Sequence, residues 1–206
     1  ELIFKYLKIP IKIRRTKKYD FIKVKQPKKI EAFNYQIPGD ISSSAFFMVL
    51  TILTENSKLL IKNININPSR TGVIKILKKM GSNKLKAINC PSKFNSSAID
   101  EFLIIFLVAA RAKGVSYFKN ISELNQKESP RLIWGSKILN MMGIKTILTN
   151  DSIKIYGQPD LVIKKKITIK NYLKDHRIFM MSTIAALTNN GVFKIYDKDS
   201  INTSFP

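Results

Sequence analysis

Three segments of the chain repeat one hydrophobic pattern: an aspartate, a run of mostly apolar residues of helical length, and then a short strand-like run. A helix that is apolar on nearly every side must be covered by other elements, so these runs predict buried helices. Each aspartate stands where a helix N-cap is favoured. The predicted helices and their aspartates are 42–53 after Asp40, 102–112 after Asp100 and 178–187 after Asp175, and the strand-like runs are 58–64, 114–121 and 191–197.

The first two units continue with a second helix. Residues 73–80 and 132–142 have apolar positions at helical spacing, and a glycine follows each run, as is usual just past a helix C-terminus. Residues 145–148 and 152–156 then predict an antiparallel hairpin. Strands and helices therefore alternate, and the apolar helices need sheet to cover them. The pattern predicts an α/β fold of repeated units with buried helices.

The first 36 residues do not follow this plan. They hold the end of a helix and then two basic strand-like runs, 11–13 and 21–25, which indicate the tail of a preceding unit. The chain begins with Glu1 rather than Met and stops directly after a predicted strand and turn. We therefore expect it to be a piece of a longer protein.

Composition narrows the range of partners. The 206 residues include 36 Lys and Arg against 14 Asp and Glu, which gives a net charge of +22. Such a charge suits nucleic acid or a membrane surface, but also small anionic substrates. The lysines are scattered rather than gathered in one block, and this pattern favours compositional bias over a nucleic-acid interface. The longest apolar run, 102–110, is shorter than the ~20 residues that span a bilayer, so we expect no membrane partner.

The cysteine content indicates the compartment. Cys90 is the only cysteine, which excludes an internal disulfide and favours a reducing, cytoplasmic location. Pro91 follows it and no histidine is near in sequence, so we interpret the thiol as structural rather than nucleophilic.

Two short stretches place charged residues at predicted helix starts. Guanidinium groups match carboxylate and phosphate oxygens two at a time, and a helix N-terminus adds N–H donors and a positive dipole end. Such stretches predict a site for a small substrate that has both kinds of anionic group. They comprise Lys127, Glu128 and Arg131 in the first and Asp175, His176 and Arg177 in the second.

Six motifs together resemble the EPSP synthase family, the 3-phosphoshikimate 1-carboxyvinyltransferases. Each motif is weak alone, but all six stand in family order, and the resemblance covers 1–206 as the later half of the family pattern. The family's N-terminal Lys-Ser motif, middle Arg and Ser-Ser-Gln segment have no counterpart. The motifs, each given with its first residue, are PGDISSSAFF (Pro38), NPSRTG (Asn67), IDEF (Ile99), KES (Lys127), DHR (Asp175) and TSFP (Thr203). Arg131, two positions after KES, belongs to the same motif.

The resemblance implies an α/β enolpyruvate transferase fold, an inside-out α/β barrel in which each domain has three βαβαββ units with buried helices. It places 1–36 in the tail of the first domain and 37–206 in the second domain, without that domain's final segment. It also implies a monomer at full length. Because one half of the substrate site is missing, we expect the chain to be inactive alone.

The resemblance further implies a reaction. The enolpyruvyl group of phosphoenolpyruvate moves to the 5-hydroxyl of shikimate 3-phosphate, through addition and then elimination of phosphate. These two small molecules are the expected partners, with no nucleic acid. No organic cofactor and no metal are expected.

The family's roles transfer to matching positions. Asp100 corresponds to the proton acceptor near the 5-hydroxyl, although its position also fits a helix N-cap. Glu128 corresponds to the second acid/base, although a first-turn glutamate is also favoured by the helix dipole. Lys127 corresponds to a catalytic residue that reaches the substrates and polarises the transferring group. The expected ligands of phosphoenolpyruvate are Arg131, His176 and Arg177, of which His176 fits a structural role as well.

The sequence departs from the family at a few positions. Pro130 stands where an aspartate is usual, so a carboxylate partner that would orient Arg131 is missing. Leu103 replaces a proline, and Thr203 replaces a lysine found in some members. Arg70 could contact an anion, although its position favours a role in supporting a turn or helix start.

Two alternatives stay open at the sequence level. A sister enzyme that transfers enolpyruvate to a UDP-sugar shares the expected fold, but the KES and DHR motifs argue against it. A basic nucleic-acid-binding module fits the charge, but stacking motifs typical of RNA-binding sheets are not evident.

Overall fold

The computed structural model describes residues 2–82 and 84–203, and the chain divides into two compact units, Glu1–Ile37 and Pro38–Pro206. This division lies one residue from the predicted boundary at 36/37. That the first unit is the tail of a preceding domain stays a prediction. Most of the last motif, Ser204 to Pro206, lies outside the described residues.

The first unit contains a short helix and a hairpin. Helix α1 covers Leu2–Tyr6, and strands β1 (Ile11–Arg15) and β2 (Asp20–Val24) pair antiparallel, with Ile13 opposite Ile22. Both predicted basic strands are therefore confirmed. No residue of these three elements is buried.

Three long apolar helices form the centre of the second unit. They are α2 (Ile41–Leu53), α5 (Phe102–Arg111) and α7 (His176–Thr188), and each packs against the other two. Every residue of α5 from Phe102 to Ala110 is buried, because its nine consecutive apolar residues leave no polar face for water. The predicted buried helices are confirmed.

Shorter elements cover α5. Helices α3 (Gly72–Met80) and α6 (Arg131–Met141) pack on it, and the short helix α4 (Asn95–Ala98) packs on α3. Strand β5 (Ile153–Gly157) also packs on α5. Like the central helices, α3 and α6 were predicted from their apolar spacing.

Two small sheets complete the second unit. In the first, β5 lies between β3 (Gly114–Phe118) and β4 (Thr146–Leu148), all antiparallel, which confirms the predicted hairpin. In the second, β6 (Ile167–Ile169) pairs parallel with β7 (Phe193–Ile195). The side chains of Ile153 and Ile155 are buried, since alternate residues of β5 face the helices.

The strand predicted at 58–64 is wrong. This segment forms no strand, and among the described residues its one bridge joins Ile64 to Gly39. Leu60 is 79% exposed. The apolar run at 59–61 resembles a strand in composition, yet a strand forms only where a neighbouring backbone completes the hydrogen-bond ladder.

Candidate active site

The beginnings of the second-unit helices supply the charged residues of one site. Asp100 lies just before α5, Arg131 begins α6, and Asp175 caps α7. Hydrogen bonds and ion pairs connect these three residues directly. The two charged stretches predicted from the sequence therefore meet in space, although 44 positions separate Arg131 from Asp175.

Arg131 is the centre of this cluster. Its side chain is 2% exposed, and it contacts three carboxylates. Nε donates to Oδ2 of Asp175 at 2.8 Å and Nη2 donates to Oδ1 at 3.3 Å, so the guanidinium binds this carboxylate with two nitrogens. Nη2 also contacts Glu128, and Nη1 lies 3.5 Å from Oδ1 of Asp100. A buried arginine thus fixes both predicted catalytic carboxylates.

Asp175 has two tasks. As predicted, it caps α7, since its Oδ1 accepts from the backbone N–H of Arg177 at 2.9 Å. Its Oδ2 accepts from Ser129 at 2.8 Å as well as from Arg131. Burial raises the pKa of the Asp175 carboxyl, but the hydrogen bonds and charge of Arg131 outweigh burial, and the pKa lies below its usual value. Asp175 supplies the carboxylate that Pro130 does not.

Asp100 is held from several directions. Its Oδ1 is 3.7 Å from Nζ of Lys127 and 3.5 Å from Arg131, and its Oδ2 is 3.5 Å from Nη2 of Arg70. Its backbone carbonyl accepts from Nη1 of Arg177 at 3.0 Å. The N-cap interpretation of Asp100 is wrong, because Glu101 occupies the N-cap of α5 and makes no capping bond with its side chain. The carboxylate of Asp100 is therefore available to the site.

Lys127 and Glu128 precede α6 rather than lie within it. Nζ of Lys127 bridges Asp100 and Glu123, with 2.9 Å to Glu123. Glu128 is 57% exposed in its side chain and reaches back to Arg131. The first-turn interpretation of Glu128 is wrong, since α6 begins at Arg131. Glu128 is instead a solvent-accessible carboxylate beside a buried cation.

His176 and Arg177 are the first two residues of α7. Burial lowers the pKa of the Arg177 guanidinium, and the charge of Asp100 opposes that effect. Burial and the neighbouring Arg177 lower the pKa of the His176 imidazole below its usual value. The lowered pKa favours the neutral form of His176, whose side chain is partly buried at the margin of the cluster.

Sequence reasoning missed a second group behind Asp100. Nη2 of Arg70 donates to Oγ of Ser42 at 2.9 Å, and Ser42 in turn donates to the buried carboxylate of Glu101. Arg70 thus contacts a residue in the first turn of α2 and also lies 3.5 Å from the carboxylate of Asp100, so its guanidinium faces the site. Burial raises the pKa of Glu101, with the hydrogen bond from Ser42 opposing. Ser42 belongs to the PGDISSSAFF motif and Glu101 to the IDEF motif, but no spacing along the sequence predicts the hydrogen bond between them.

The structure also bears on metal binding, thiol chemistry and membrane insertion. Among residues 2–82 and 84–203, no group of three or more His, Cys, Asp or Glu side chains is arranged to hold a metal ion. Cys90 is buried, and burial raises the pKa of its thiol to about 11, so the thiolate nucleophile is scarce at neutral pH. In the part of the chain that the structure describes, no helix is both long and apolar enough to cross a bilayer.

Fold and site together define a class. Apolar helices are buried under small sheets, which is the architecture that the resemblance to enolpyruvate transferases implies. Asp100 and Glu128 lie among Lys and Arg side chains, just before α5 and α6. Such a set can move protons and bind an anion at one place.

Comparisons with known proteins name the family. A sequence model of EPSP synthase (3-phosphoshikimate 1-carboxyvinyltransferase) matches residues 3–206. A 3-phosphoshikimate 1-carboxyvinyltransferase of Ruthia magnifica subsp. Calyptogena magnifica is 38% identical over 86% of this chain and 45% of its own length. One from Staphylococcus aureus (strain JH9) is 33% identical over 100% of this chain and 51% of its own. The chain belongs to the EPSP synthase family.

A solved structure confirms the expected fold. The EPSP synthase of Acinetobacter baumannii superposes with a TM-score of 0.87 at 32% identity, over 99% of this chain and 51% of that one. The enolpyruvate transferase fold is thus confirmed. The chain spans about half the length of the relatives it matches.

Proposed function

We propose that the complete polypeptide containing this chain transfers the enolpyruvyl group of phosphoenolpyruvate to the 5-hydroxyl of shikimate 3-phosphate and releases phosphate. This reaction would place it in the shikimate pathway, toward chorismate and the aromatic amino acids. Family membership supports the reaction class. The observation that supports it most at the site is the contact of both Asp100 and Glu128 with the buried Arg131.

The proposed roles follow from proton balance. In the addition step the acceptor hydroxyl oxygen bonds to C2 of the enol phosphate, the hydroxyl proton passes to Asp100, and the C3 methylene takes a proton from Glu128. In the elimination step the C–O bond to phosphate breaks and a C3 proton is lost. Glu128, more exposed than Asp100, exchanges the C3 proton. Lys127, which already contacts Asp100, polarises the transferring group.

Basic side chains and the N-termini of helices bind the anionic substrate in this proposal. We assign Arg177, Arg131 and His176 to the phosphoenolpyruvate side of the site. Arg131 is enclosed by carboxylates, so it binds ligand only through its Nη1 edge toward Asp100. Arg177 lies in the first turn of α7, where backbone N–H groups also favour an anion. Holding two reactants together there removes much of the entropic barrier.

We extend the proposal to the domain organisation and the partners of the complete protein. We propose that residues 1–36 are the tail of a first domain and 37–206 most of a second one. We also propose that the complete protein is a cytoplasmic monomer that binds neither nucleic acid nor membranes. No organic cofactor and no metal enter the proposed reaction.

Phosphate release from the complete polypeptide tests the function. We expect turnover with phosphoenolpyruvate and shikimate 3-phosphate, and a loss of roughly 100-fold or more in kcat for Asp100→Asn and for Glu128→Gln. Asp151→Asn, in the exposed turn between β4 and β5, is the matched control and should retain activity. Turnover with a UDP-sugar acceptor but not with shikimate 3-phosphate would assign the chain to the sister reaction.

The chain alone provides a second test. Residues 1–206 span about half of the relatives' length, so we expect no phosphate release from the purified 206-residue chain. Robust turnover by this chain would contradict the proposal that the missing half contributes to the site.

A further inference from the structure

Three polar residues beside Asp100 have no part in the proposed chemistry. Glu101 is 2% exposed, Ser42 is fully buried, and Arg70 is 44% exposed in its side chain. Burying a carboxylate costs folding free energy unless hydrogen bonds or an opposite charge compensate its negative charge. The arrangement of these three side chains indicates what compensates it.

Their hydrogen bonds run in one direction, from Arg70 through Ser42 to Glu101. Ser42 has a single hydroxyl hydrogen, which it donates to Oε1 of Glu101. The lone pairs of the same Oγ are thus turned toward Arg70, whose Nη2 donates to Ser42 at 2.9 Å. Glu101 therefore orients Ser42, and Ser42 orients the guanidinium.

The same nitrogen of Arg70 also faces the catalytic carboxylate. Nη2 lies 3.5 Å from Oδ2 of Asp100. The opposite oxygen, Oδ1, is approached by Lys127 and Arg131. Within the described chain, Arg70 is thus the side chain that fixes the second oxygen of Asp100. Without it, the carboxylate could rotate about its terminal bond.

We propose that Arg70 is a positioning residue that fixes the carboxylate of Asp100 for proton transfer, and that Glu101 holds Arg70 in place through Ser42. The catalytic consequence rests on the proposed function, because it needs Asp100 as the proton acceptor. The structural consequence does not, since the orientation of Asp100 is observable without any reaction.

Kinetics of the complete polypeptide test the catalytic consequence. Displacement of a catalytic group by about 1 Å costs roughly 100-fold in rate, so Arg70→Gln should lower kcat roughly 10- to 100-fold. KM for both substrates should change less than about threefold, because the proposal gives Arg70 no contact with substrate. Arg70→Lys, which keeps a cation near Oδ2, should recover part of kcat.

Variants of the two supporting residues sharpen this test. Glu101→Gln keeps a carbonyl oxygen that accepts from Ser42, so kcat should stay near that of the unmodified protein. Glu101→Leu and Ser42→Ala should each lower kcat. The double variant Ser42→Ala with Arg70→Gln should be no worse than Arg70→Gln alone, since coupled residues are not additive.

A matched control variant distinguishes the loss of Asp100 positioning from a general destabilisation of the fold. Arg111 is also partly buried and donates to the side chain of Asn189 at 2.8 Å, in contacts apart from the Asp100 cluster. Arg111→Gln should therefore leave kcat unchanged even if it lowers the melting temperature. An equal fall in kcat for Arg70→Gln and Arg111→Gln, or a rise in KM alone for Arg70→Gln, would overturn the proposal.

A crystal structure of Arg70→Gln tests positioning without turnover. We expect the Asp100 carboxylate to rotate or to occupy more than one orientation, while Arg131 keeps its bidentate contact with Asp175. An unmoved Asp100 would refute the proposal, even if activity had fallen. If the unmodified complete polypeptide does not turn over, the proposed function fails, and this structure still decides whether Arg70 positions Asp100.

Discussion

At the residue scale, Arg131 balances the charges of the site. It is buried and contacts Asp175, Glu128 and Asp100 at once. Breaking a buried pair by removing one partner leaves an uncompensated charge in a medium of low dielectric constant. The geometry is also specific to arginine, because a lysine offers a point charge and no planar fork for Asp175.

Arg131→Gln should therefore destabilise the chain strongly. We expect a loss of about 3–5 kcal/mol in the free energy of unfolding, measured by urea denaturation, since Asp175 stays buried without its cation. The control is Arg15→Gln, which removes the exposed ion pair with Asp20 at 3.9 Å and should cost less than about 1 kcal/mol. Equal losses for the two variants would contradict this account of Arg131.

Asp175 should make the fold sensitive to acid. Its pKa is lower in the folded chain than in the unfolded one, so the folded state binds fewer protons. The stability from this group is fully present above its unfolded pKa of about 3.9 and is lost as pH falls through the lower folded pKa. Between pH 5 and pH 2, Asp175→Asn should lose stability less steeply than the unmodified chain in urea titrations. Parallel profiles would be inconsistent with the lowered pKa.

At the element scale, the positions of the site residues depend on close packing around α5. Strand β5 ends at Gly157, where the chain runs against the C-terminal end of this helix. A Cβ at Gly157 would lie 2.0 Å from the carbonyl oxygen of Ala112 and 2.6 Å from that of Ala109. Both neighbours are backbone atoms, so they cannot yield as a flexible side chain would.

Gly157→Ala should separate β5 from α5. We expect a loss of about 3 kcal/mol in unfolding free energy, as for other overpacked sites. Gly143→Ala is the control: nothing lies within 4 Å of its added Cβ, but its φ of +92° strains an alanine, so a cost of about 1 kcal/mol is expected. If Gly157→Ala is no worse than Gly143→Ala, collision with α5 is not the reason for this glycine.

At the scale of the whole second unit, apolar burial is concentrated on the three central helices. The residues of α5 from Phe102 to Ala110 are buried, whereas the segment 58–64 is mostly exposed and has a bridge only at Ile64 among the described residues. Local opening costs little where few contacts are lost, and costs the full unfolding free energy in the core.

Hydrogen exchange should reveal this difference. Amides of α5 should exchange only through global unfolding, at the free energy of about 5–15 kcal/mol that is usual for domains. Amides of 58–63 should exchange almost freely. The measurement is mass spectrometry or NMR on the 206-residue chain. Slow exchange throughout 58–63 would indicate a hydrogen-bond partner for this segment and would contradict the present description.

Much of this architecture was predictable because it depends on local pattern. Apolar runs of helical length predicted α2, α5 and α7, and aspartates of known capping preference marked the starts of α2 and α7. The interpretation of Asp100 as a cap failed, since the preference of a residue type for N-caps does not say which of two adjacent acids the helix will use. The strand at 58–64 failed because a ladder needs a partner that sequence pattern does not supply.

By itself, the sequence determined the family, the buried helices and the residues from which the site is built, because those depend on residue type and spacing. Only the tertiary structure decided which charges pair. Arg131 pairs with Asp175 from 44 positions away along the chain. Arg70 pairs with Ser42 and Asp100 from 28 and 30 positions away. Such pairs are selected by the packing of α2, α5, α6 and α7, since a buried charge is stable only where the fold brings its opposite within hydrogen-bond reach.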